Sequence, residues 1–257
     1  MIAAAYETRQ GWPPETSVPV ARHLLDQAPR ARSAAFFGCA SGVNDAVPFA
    51  GLAPGVRVLA SDVDPDLLRA LRERVRFLPN VEVRKIDVLQ DLRDVAPADL
   101  VGIFFVVHRL PRWEDVVAPL AAAVAPGGRL FTSEFAGPSG LIHLANEEGG
   151  TGSDPVSRLL RRYHALRREP FAPRLRTSRM RPFLDALGRR LRPEGFRDFY
   201  WPRTLSVGEV LELIADAAYA PFHGRADLER LRAEFEAERD ERVELIETIR
   251  VHGFARD

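Results

Sequence analysis

Two carboxylates follow successive apolar runs of this 257-residue chain, where they could bind the hydroxyl and amine groups of a ligand. Asp62 ends the run VRVLASD, about 20 residues after a glycine turn, and Asp87 follows the run VEVRKI. Because a carboxylate only accepts hydrogen bonds, Asp62 suits the vicinal hydroxyls of a ribose and Asp87 suits an exocyclic amine. The alternative for Asp62 is a solvated acidic loop, since Asp64 and Asp66 follow it and Pro65 can start a helix.

The glycine turn FFGCASG precedes these acids and is built from small residues. Gly38, Cys39, Ala40 and Gly42 would let the backbone approach a ligand closely, because no large side chain stands in the way. A tight connection from strand to helix has the same composition, so the turn alone does not establish a binding site. Cys39 is most simply a small buried residue of this turn and not a nucleophile.

A histidine and a glutamate follow later apolar runs and are the candidates for acid–base chemistry. The run FFVVHRLPRWED contains His108, a residue type that titrates near neutral pH and could act as a general base. The alternative for His108 is packing under the following helix. Glu134, in the run RLFTSEF, is a second candidate for a base or a substrate contact.

The elements that must position these residues alternate between strands and helices. Short apolar runs predict strands, and leucines three and four residues apart predict a helix after Pro65. The predicted strands are 34–37, 56–61, 81–86, 99–107 and 129–135, and the predicted helices are 65–78 and Trp113–Val124. Alternation at this spacing is typical of β-α-β units, which form a parallel sheet covered on both faces.

The second half of the chain predicts an insertion followed by further strands and helices. The predicted elements are a strand at 196–202, a helix at 204–220, a charged helix at 226–244 and a strand at 243–255. Ser206 can cap the first of these helices. Ser153–Phe199 holds 13 arginines against five acids, and Asp227–Glu247 holds nine acids and four arginines. We expect these regions to pair, and Tyr163 or the arginines of the insertion to contact an acidic substrate.

The composition excludes several classes of protein. With 36 basic and 36 acidic side chains, the chain lacks the basic excess of a protein that coats nucleic acid. One cysteine excludes a disulfide framework and a multi-cysteine metal site, so we expect no bound metal. No apolar run reaches the roughly 18–20 residues that span a bilayer, and the N-terminus does not resemble a secretion signal. We therefore expect a cytoplasmic monomer or homodimer that acts on a small-molecule substrate, without a membrane or nucleic-acid partner.

In chain order, these motifs resemble those of the class I S-adenosylmethionine-dependent methyltransferases over residues 33–135. The segment VLASDVDPDLL resembles the second motif of that family, whose acid binds ribose and corresponds to Asp62. The segment KIDVLQDL resembles the third motif, whose acid holds the adenine amine beside an apolar residue and corresponds to Asp87 beside Val88. The resemblance implies S-adenosylmethionine as the cofactor and S-adenosylhomocysteine as the product. The cofactor-binding residues that it implies are Gly38, Cys39, Ala40, Gly42, Asp62, Val63, Asp87, Val88, Phe104 and Phe105.

The N-terminal segment YETRQGWPPE resembles the Tyr…Arg-Pro-x-Tyr-Pro segment of the methyltransferase-11/trans-aconitate methyltransferase-like branch. In that branch the segment closes over the cofactor, which implies that Tyr6, Arg9 and Trp12 lie near the methionine part or the substrate. An arginine can clamp a carboxylate, and aromatic faces attract a sulfonium. The alternative is the start of a helix, with Trp12 and Pro13 as packing residues.

The first motif departs from the family pattern at two positions. The family has an acid two residues before the first glycine, where this chain has Phe36, and the second glycine is Ala40 here. That acid often organises the methionine amine, and Asn44 or Asp45 could supply replacement polar contacts. Ala40 is a mild change if the local backbone dihedrals are negative.

Together these features predict an α/β fold: a Rossmann-like, seven-stranded, mostly parallel sheet with an antiparallel last strand, helices on both faces and a helical lid insertion. We expect one domain over 1–257, with cap helices in 1–32, a cofactor-binding core in 33–136, the lid in 137–195 and the remaining elements in 196–257. The predicted function is methyl transfer to oxygen, carbon or nitrogen of a small molecule, in specialised metabolism. A non-methylating step, such as a cyclisation or decarboxylation, and a nicotinamide-dependent oxidation stay open as alternatives.

Overall fold

The computed structural model describes residues 11–136, 155, 158–159, 162–163, 177–215 and 225–257 of the chain. These residues contain a seven-stranded sheet with the strand order β3-β2-β1-β4-β5-β7-β6. The strands are β1 Ser33–Phe37, β2 Arg57–Asp62, β3 Val81–Lys85, β4 Ala98–Phe104, β5 Val124–Ala136, β6 Arg192–Ser206 and β7 Arg242–Ala255. The sheet confirms the predicted Rossmann-like fold.

The first five strands are parallel, and β7 reverses the direction. β1 pairs in parallel with both β2 and β4, β2 pairs with β3, and β4 pairs with β5. The amide of Gly127, near the start of β5, donates to the carbonyl of Arg256, just beyond the end of β7, so these strands are antiparallel. Phe37 pairs with Ser61, which brings the ends of β1 and β2 to one edge of the sheet, here called the carboxyl edge.

Helices connect and cover these strands. They are α1 Pro14–Gln27, α2 Ala46–Leu52, α3 Pro65–Val75, α4 Glu114–Ala123, α5 Thr177–Gly188, α6 Val207–Ala215 and α7 Arg225–Glu234. The Asp64 side chain caps α3 by accepting from the amides of Asp66 and Leu67. Ser206 caps α6 as predicted, because its hydroxyl accepts from the Glu209 amide while the Glu209 carboxylate accepts from the Ser206 amide. No helix of the described residues is long and apolar enough to cross a membrane.

The described residues form two compact units. The first lies within Met1–Glu134, Arg176–Phe199 and Arg250–Asp257, and the second lies within Phe135–Leu175 and Tyr200–Ile249. The division falls at the end of β5 and within β6 and β7, and not at the predicted lid boundaries. All residues of the carboxyl edge described below belong to the first unit.

Helix α5 belongs to the core of the first unit, whereas the sequence predicts that its residues lie in the lid. Met180, Phe183 and Leu187 are buried in the same apolar cluster as the strands and α4. The many arginines around α5 concealed this apolar face, which explains the wrong assignment. Most of the remaining predicted lid, 137–195, lies outside the described residues.

The second unit has its own apolar core, and Tyr163 is part of it. The Tyr163 side chain is 1% exposed and lies in this core, whereas we expected a substrate contact. Its aromatic ring is large and mainly apolar, so burial in a core explains its place. The other buried members of the core are Leu159, Leu205, Val207, Val210, Leu211, Leu228, Leu231 and Phe235.

The charged helix predicted over 226–244 is shorter than expected. Helix α7 ends at Glu234, a 3-10 turn covers Glu236–Glu238, and β7 already begins at Arg242. The strand starts there because the apolar pattern of the closing strand extends back into the charged segment. Charge composition alone therefore misplaced the end of the helix.

Two of the expected ion pairs between the basic and acidic regions form within the second unit. Arg158 Nη2 lies 2.5 Å from Glu238 Oε2, and Arg162 Nε lies 2.8 Å from Glu234 Oε2. All four side chains are partly exposed, so each pair contributes little to the free energy of unfolding. Arg161, Arg167 and Arg168 lie outside the described residues.

Candidate functional site

The strand order creates a switch point between β1 and β4 at the carboxyl edge. The chain passes from β1 to β2 on one side, whereas β4 lies on the other side of β1, so the two loops leave in opposite directions. Ligands of open α/β sheets bind in the crevice at such a point. The β1 loop (residues 38–45) and the segment after β4 therefore border the candidate site.

Asp62 joins the β1 loop to the end of β2. Its Oδ2 accepts from the Ala40 amide at 2.8 Å, and its Oδ1 accepts from the amides of Val63 at 2.8 Å and Asp64 at 3.0 Å. A carboxylate has about four acceptor positions, so roughly one remains for a ligand hydroxyl. The residue predicted to bind ribose thus first fixes the backbone around the site, a role that sequence spacing did not indicate.

The two glycines of the β1 loop are required by close packing. A Cβ on Gly38 would come within 2.4 Å of Val106 Cγ2, and a Cβ on Gly42 would come within 2.6 Å of Leu71 Cδ1. Both glycines also have positive φ, 65° and 75°. The β1 loop therefore packs against the segment after β4 on one side and against α3 on the other.

Two non-glycine residues at this edge have a left-handed backbone. Ala40 has φ of 51° and Phe105 has φ of 54°. The negative dihedrals that would make Ala40 a mild change are not present, and the left-handed conformation costs a residue with a Cβ about 1–2 kcal/mol. Both strained residues border the switch point, as is common at ligand sites.

Trp12 closes the gap between the β1 loop and the segment after β4. Its amide donates to Asn44 Oδ1 at 2.7 Å, and its ring meets the Phe105 ring edge to face, with the centroids 5.5 Å apart. Asn44, one of the suggested replacement contacts, thus holds Trp12. The arrangement puts two aromatic rings beside the switch point, and the predicted contact of Trp12 with the methionine part or the substrate stays a prediction.

Phe36 belongs to the apolar core. Its ring lies 5.2 Å from that of Phe49 on α2 and 6.4 Å from that of Phe104 on β4. Gly102 provides the space, because a Cβ there would come within 2.5 Å of the Phe36 ring. Phe104 is also buried and stacks on Phe36, so little of its ring is left for the predicted contact with the cofactor.

Asp45, at the end of the β1 loop, is a buried acid. Burial first, and then the nearby Asp62 carboxylate, raise the pKa of Asp45 to about 7. Burial and both of these acids raise the pKa of the Cys39 thiol well above its usual value, which agrees with a neutral, non-nucleophilic Cys39. Ser41 Oγ is buried in the same loop without a hydrogen-bond partner among the described residues.

The loop after β3 is organised by Asp87. Its Oδ1 accepts from the Leu89 amide and its Oδ2 accepts from the Gln90 side chain, both at 2.9 Å. Val88, predicted to pack on the adenine ring, is buried in the core of the first unit. Val63 beside Asp62 is 53% exposed and is the apolar residue here that an adenosine could cover.

Glu134 at the end of β5 is held by a residue that sequence reasoning missed. His252 Nε2 on β7 lies 2.8 Å from Glu134 Oε1. Arg250 beside it makes two hydrogen bonds of 2.8 Å to Asp198 on β6, and these bonds lower the pKa of Asp198. Because Glu134 and His252 are 118 positions apart, only knowledge of the β5–β7 pairing could have brought them together.

The structure does not describe the side chains of three predicted site residues. Tyr6 and Arg9 are not among the described residues, and of His108 only the backbone is described, in the 3-10 turn Val107–Arg109 after β4. Within the described ranges no group of acidic, histidine and cysteine side chains could hold a metal ion. The roles of these three residues stay predictions.

The residues of the carboxyl edge fit S-adenosylmethionine. Asp62 keeps roughly one acceptor position, Val63 offers an exposed apolar surface, and the buried Trp12 packs with Phe105 to place aromatic rings beside the switch point. The orphaned hydroxyl of Ser41 adds a buried polar group that lacks a partner within the described part of the chain. These groups match, in kind, the ribose, adenine, sulfonium and amino-acid parts of that molecule.

The sheet order with its reversed β7, the glycine loop and the acid at the end of β2 define the fold of class I S-adenosylmethionine-dependent methyltransferases. The sequence model of a family described as Methyltransferase domain matches residues 37–130. Residues 37–130 thus match the sequence model of this family and lie in a sheet of the corresponding fold.

Solved structures of low sequence identity share this fold. A methyltransferase candidate from Bacillus halodurans is 13% identical, with 91% of this chain and 97% of that chain covered and a TM-score of 0.57. An enzyme that converts a disulfide bond into a thioacetal group during echinomycin biosynthesis is 17% identical, with 93% and 81% covered and a TM-score of 0.54. The [4+2]-cyclase SpnF is 13% identical, with 93% and 81% covered and a TM-score of 0.51. No curated protein sequence matches this chain.

Proposed function

We propose that this chain is an S-adenosylmethionine-dependent methyltransferase that acts on a small molecule. The observation that carries the proposal is the hydrogen bond from the Ala40 amide to Asp62, which couples the glycine loop to the acid at the switch point of a methyltransferase domain. This coupling fixes the backbone next to a carboxylate that retains a free acceptor position. The nicotinamide alternative is disfavoured, because β7 lies between β5 and β6 and departs from the dinucleotide-binding order.

The residues of this chain act mainly by position. When bound, S-adenosylmethionine supplies a methyl group on a positively charged sulfur, which already reacts with nucleophiles. Asp62 and Val63 would hold the adenosine, and Asp87 would accept from the adenine amine. Trp12 and Phe105 would present aromatic faces to the sulfonium and exclude water from the same space.

A base is needed only for acceptors that lose a proton. Glu134 lies near the end of β5 and is held by His252 on β7, and His108 follows β4, so both residues lie at the ends of parallel strands. We assign proton acceptance to one of these two residues. Either residue could serve an oxygen, carbon or nitrogen nucleophile.

The acceptor is proposed to be a small molecule of specialised metabolism. One protein of the same fold acts in echinomycin biosynthesis, which supports this setting by analogy of fold alone. The equal numbers of basic and acidic side chains support the absence of a nucleic-acid partner. We also propose that the protein works in the cytoplasm as a monomer or homodimer.

A second candidate is a non-methylating enzyme that keeps the cofactor for its structure. Phe36 in place of an acid and the strained Ala40 favour this candidate, since both depart from the methyltransferase pattern. A protein of the same fold is a [4+2]-cyclase. Such an enzyme would change its substrate without consuming the cofactor.

Incubation with S-adenosylmethionine that carries a labelled methyl group distinguishes these candidates. Phenols, carboxylic acids and amines form the acceptor panel, and mass spectrometry follows both the acceptor and S-adenosylhomocysteine. The proposal predicts one labelled methyl on an acceptor for each S-adenosylhomocysteine formed, and loss of both products in Asp62→Asn. Conversion of an acceptor without S-adenosylhomocysteine would establish the second candidate instead.

A further inference from the structure

Asp45 is a buried acid without a basic partner among the residues that the structure describes. It is 3% exposed, and as the N-cap of α2 its Oδ1 accepts a hydrogen bond from the amide of the next residue, Ala46. No arginine, lysine or histidine of the described residues forms an ion pair with it. A buried carboxylate is costly unless a cation or several donors compensate it.

The backbone amides of Ala46 and of Asp45 itself favour the Asp45 anion, but they do not offset its burial, and the neighbouring side chains add no positive charge. Asp62 at the end of β2 is an acid and disfavours a second negative charge nearby, and the Cys39 thiol is neutral. Burial is the first cause of the raised pKa of Asp45, which reaches about 7, and Asp62 adds to it. A carboxyl in this state becomes a stable anion once a positive charge arrives.

The β1 loop contains a second group that lacks a partner. Ser41 Oγ is fully buried, four positions before Asp45, and has no hydrogen-bond partner within the described part of the chain. Buried hydroxyls are rarely left unpaired in a complete structure. An orphaned hydroxyl and an uncompensated acid on one loop are matched by a ligand that brings both a positive charge and polar atoms.

We propose that Asp45 receives the α-ammonium group of the methionine part of the cofactor. This inference rests on the proposed function and assigns one residue within it. Asp45 thereby takes the role of the family acid, whose position is occupied by Phe36 in this chain. Asp45 reaches the ammonium group from the opposite end of the β1 loop. Asp62 is less suited, because three backbone amides already occupy most of its acceptor positions.

The assignment predicts a proton linked to binding. Near pH 6 Asp45 is mostly protonated without ligand, and the ammonium group favours its anion, so binding releases a proton. The affinity for a ligand with this ammonium group therefore falls as the pH is lowered from 8 to 6. A ligand without it should bind with no such change.

Two ligands and two variants test the assignment by calorimetric titration. S-adenosylhomocysteine carries the ammonium group, whereas 5′-methylthioadenosine has the same nucleoside and sulfur without the amino acid. Asp45→Asn should lower the affinity for S-adenosylhomocysteine about 10- to 100-fold and change the affinity for 5′-methylthioadenosine by no more than about twofold. Asp66→Asn, which removes an exposed acid that pairs with Arg69, is the matched control and should change neither.

Each other outcome has a distinct meaning. Equal affinity of Asp45→Asn and wild type for S-adenosylhomocysteine, or equal weakening of both ligands, would overturn the assignment and leave the proposed function intact. Failure of the wild type to bind either ligand would overturn both. A measurement on the wild type does not depend on the folding of the variant. Binding heats measured in two buffers of different ionisation enthalpy should reveal proton release with S-adenosylhomocysteine and none with 5′-methylthioadenosine. Absence of proton release with S-adenosylhomocysteine would contradict the role of Asp45.

Discussion

Asp62 Oδ2 accepts a hydrogen bond from the Ala40 amide at 2.8 Å, although Ala40 is held with a left-handed backbone. The bond spans the gap between the β1 loop and the end of β2, beside the switch point of the sheet. A glycine would adopt the same backbone without strain. Asp62 thus stabilises a loop conformation that alanine at position 40 disfavours.

Replacement of Asp62 by asparagine should weaken ligand binding and lower the stability together. Asparagine retains one acceptor oxygen, so it cannot serve the amides of Ala40, Val63 and Asp64 and also a ribose. We expect S-adenosylhomocysteine and 5′-methylthioadenosine to bind at least about 10-fold more weakly, and the free energy of unfolding to fall by about 1–3 kcal/mol. Calorimetry and urea denaturation measure these effects. Unchanged affinity for both ligands would contradict the position of Asp62 at the ribose.

Replacement of Ala40 by glycine should preserve or raise the stability. The left-handed strain of about 1–2 kcal/mol disappears, whereas the greater freedom of the unfolded chain costs about 0.4–1 kcal/mol. Ala70→Gly, in the interior of α3, is the matched control and should lose about 1 kcal/mol. Urea denaturation of both variants decides the question. A loss in Ala40→Gly as large as that in Ala70→Gly would show that the backbone at Ala40 is not strained.

The buried Asp45 should make the protein less stable as the pH rises. Its pKa is about 7 in the folded state against a usual value of 3.8, so the folded state binds the additional proton. The free energy of unfolding contributed by Asp45 therefore falls between about pH 4 and pH 7 and is constant above. The stability of wild type minus that of Asp45→Asn, measured by urea denaturation, should be lower at pH 8 than at pH 5. A difference that is the same at both pH values would refute the burial of an uncompensated acid.

The bond pair from Arg250 to Asp198 should depend on the planar shape of the guanidinium. Arg250 makes two bonds of 2.8 Å to Asp198 and lies 3.9 Å above the Phe196 ring, and lysine cannot reproduce both contacts. We expect Arg250→Lys to lower the free energy of unfolding by about 1–2 kcal/mol. Arg112→Lys is the control, because its pair with Asp115 is exposed and should matter by less than about 0.5 kcal/mol. An equal loss of free energy of unfolding in Arg250→Lys and Arg112→Lys would show that the Arg250 contacts do not depend on the guanidinium shape.

The sequence allowed the fold to be predicted more completely than the site. Apolar runs alternating with helix-period segments predicted the strands and their edge, because burial on both faces of a parallel sheet leaves a direct mark on composition. The positive φ of Ala40 left no such mark, because a residue type does not reveal its backbone conformation and alanine seldom adopts a left-handed one. Glu134 and His252 meet because β5 and β7 are neighbours, and the pairing of distant strands is not encoded in local spacing. Tyr163 was misjudged because an aromatic residue within a basic segment has the same sequence pattern in a core as in a lid.

Calorimetric titration of the wild-type protein with S-adenosylhomocysteine, compared with NAD, decides whether the carboxyl edge binds this cofactor. We predict saturable one-to-one binding of S-adenosylhomocysteine, binding at least about 10-fold weaker in Asp62→Asn, and no binding of NAD. Binding of NAD without binding of S-adenosylhomocysteine would contradict the assignment of the carboxyl edge to this cofactor.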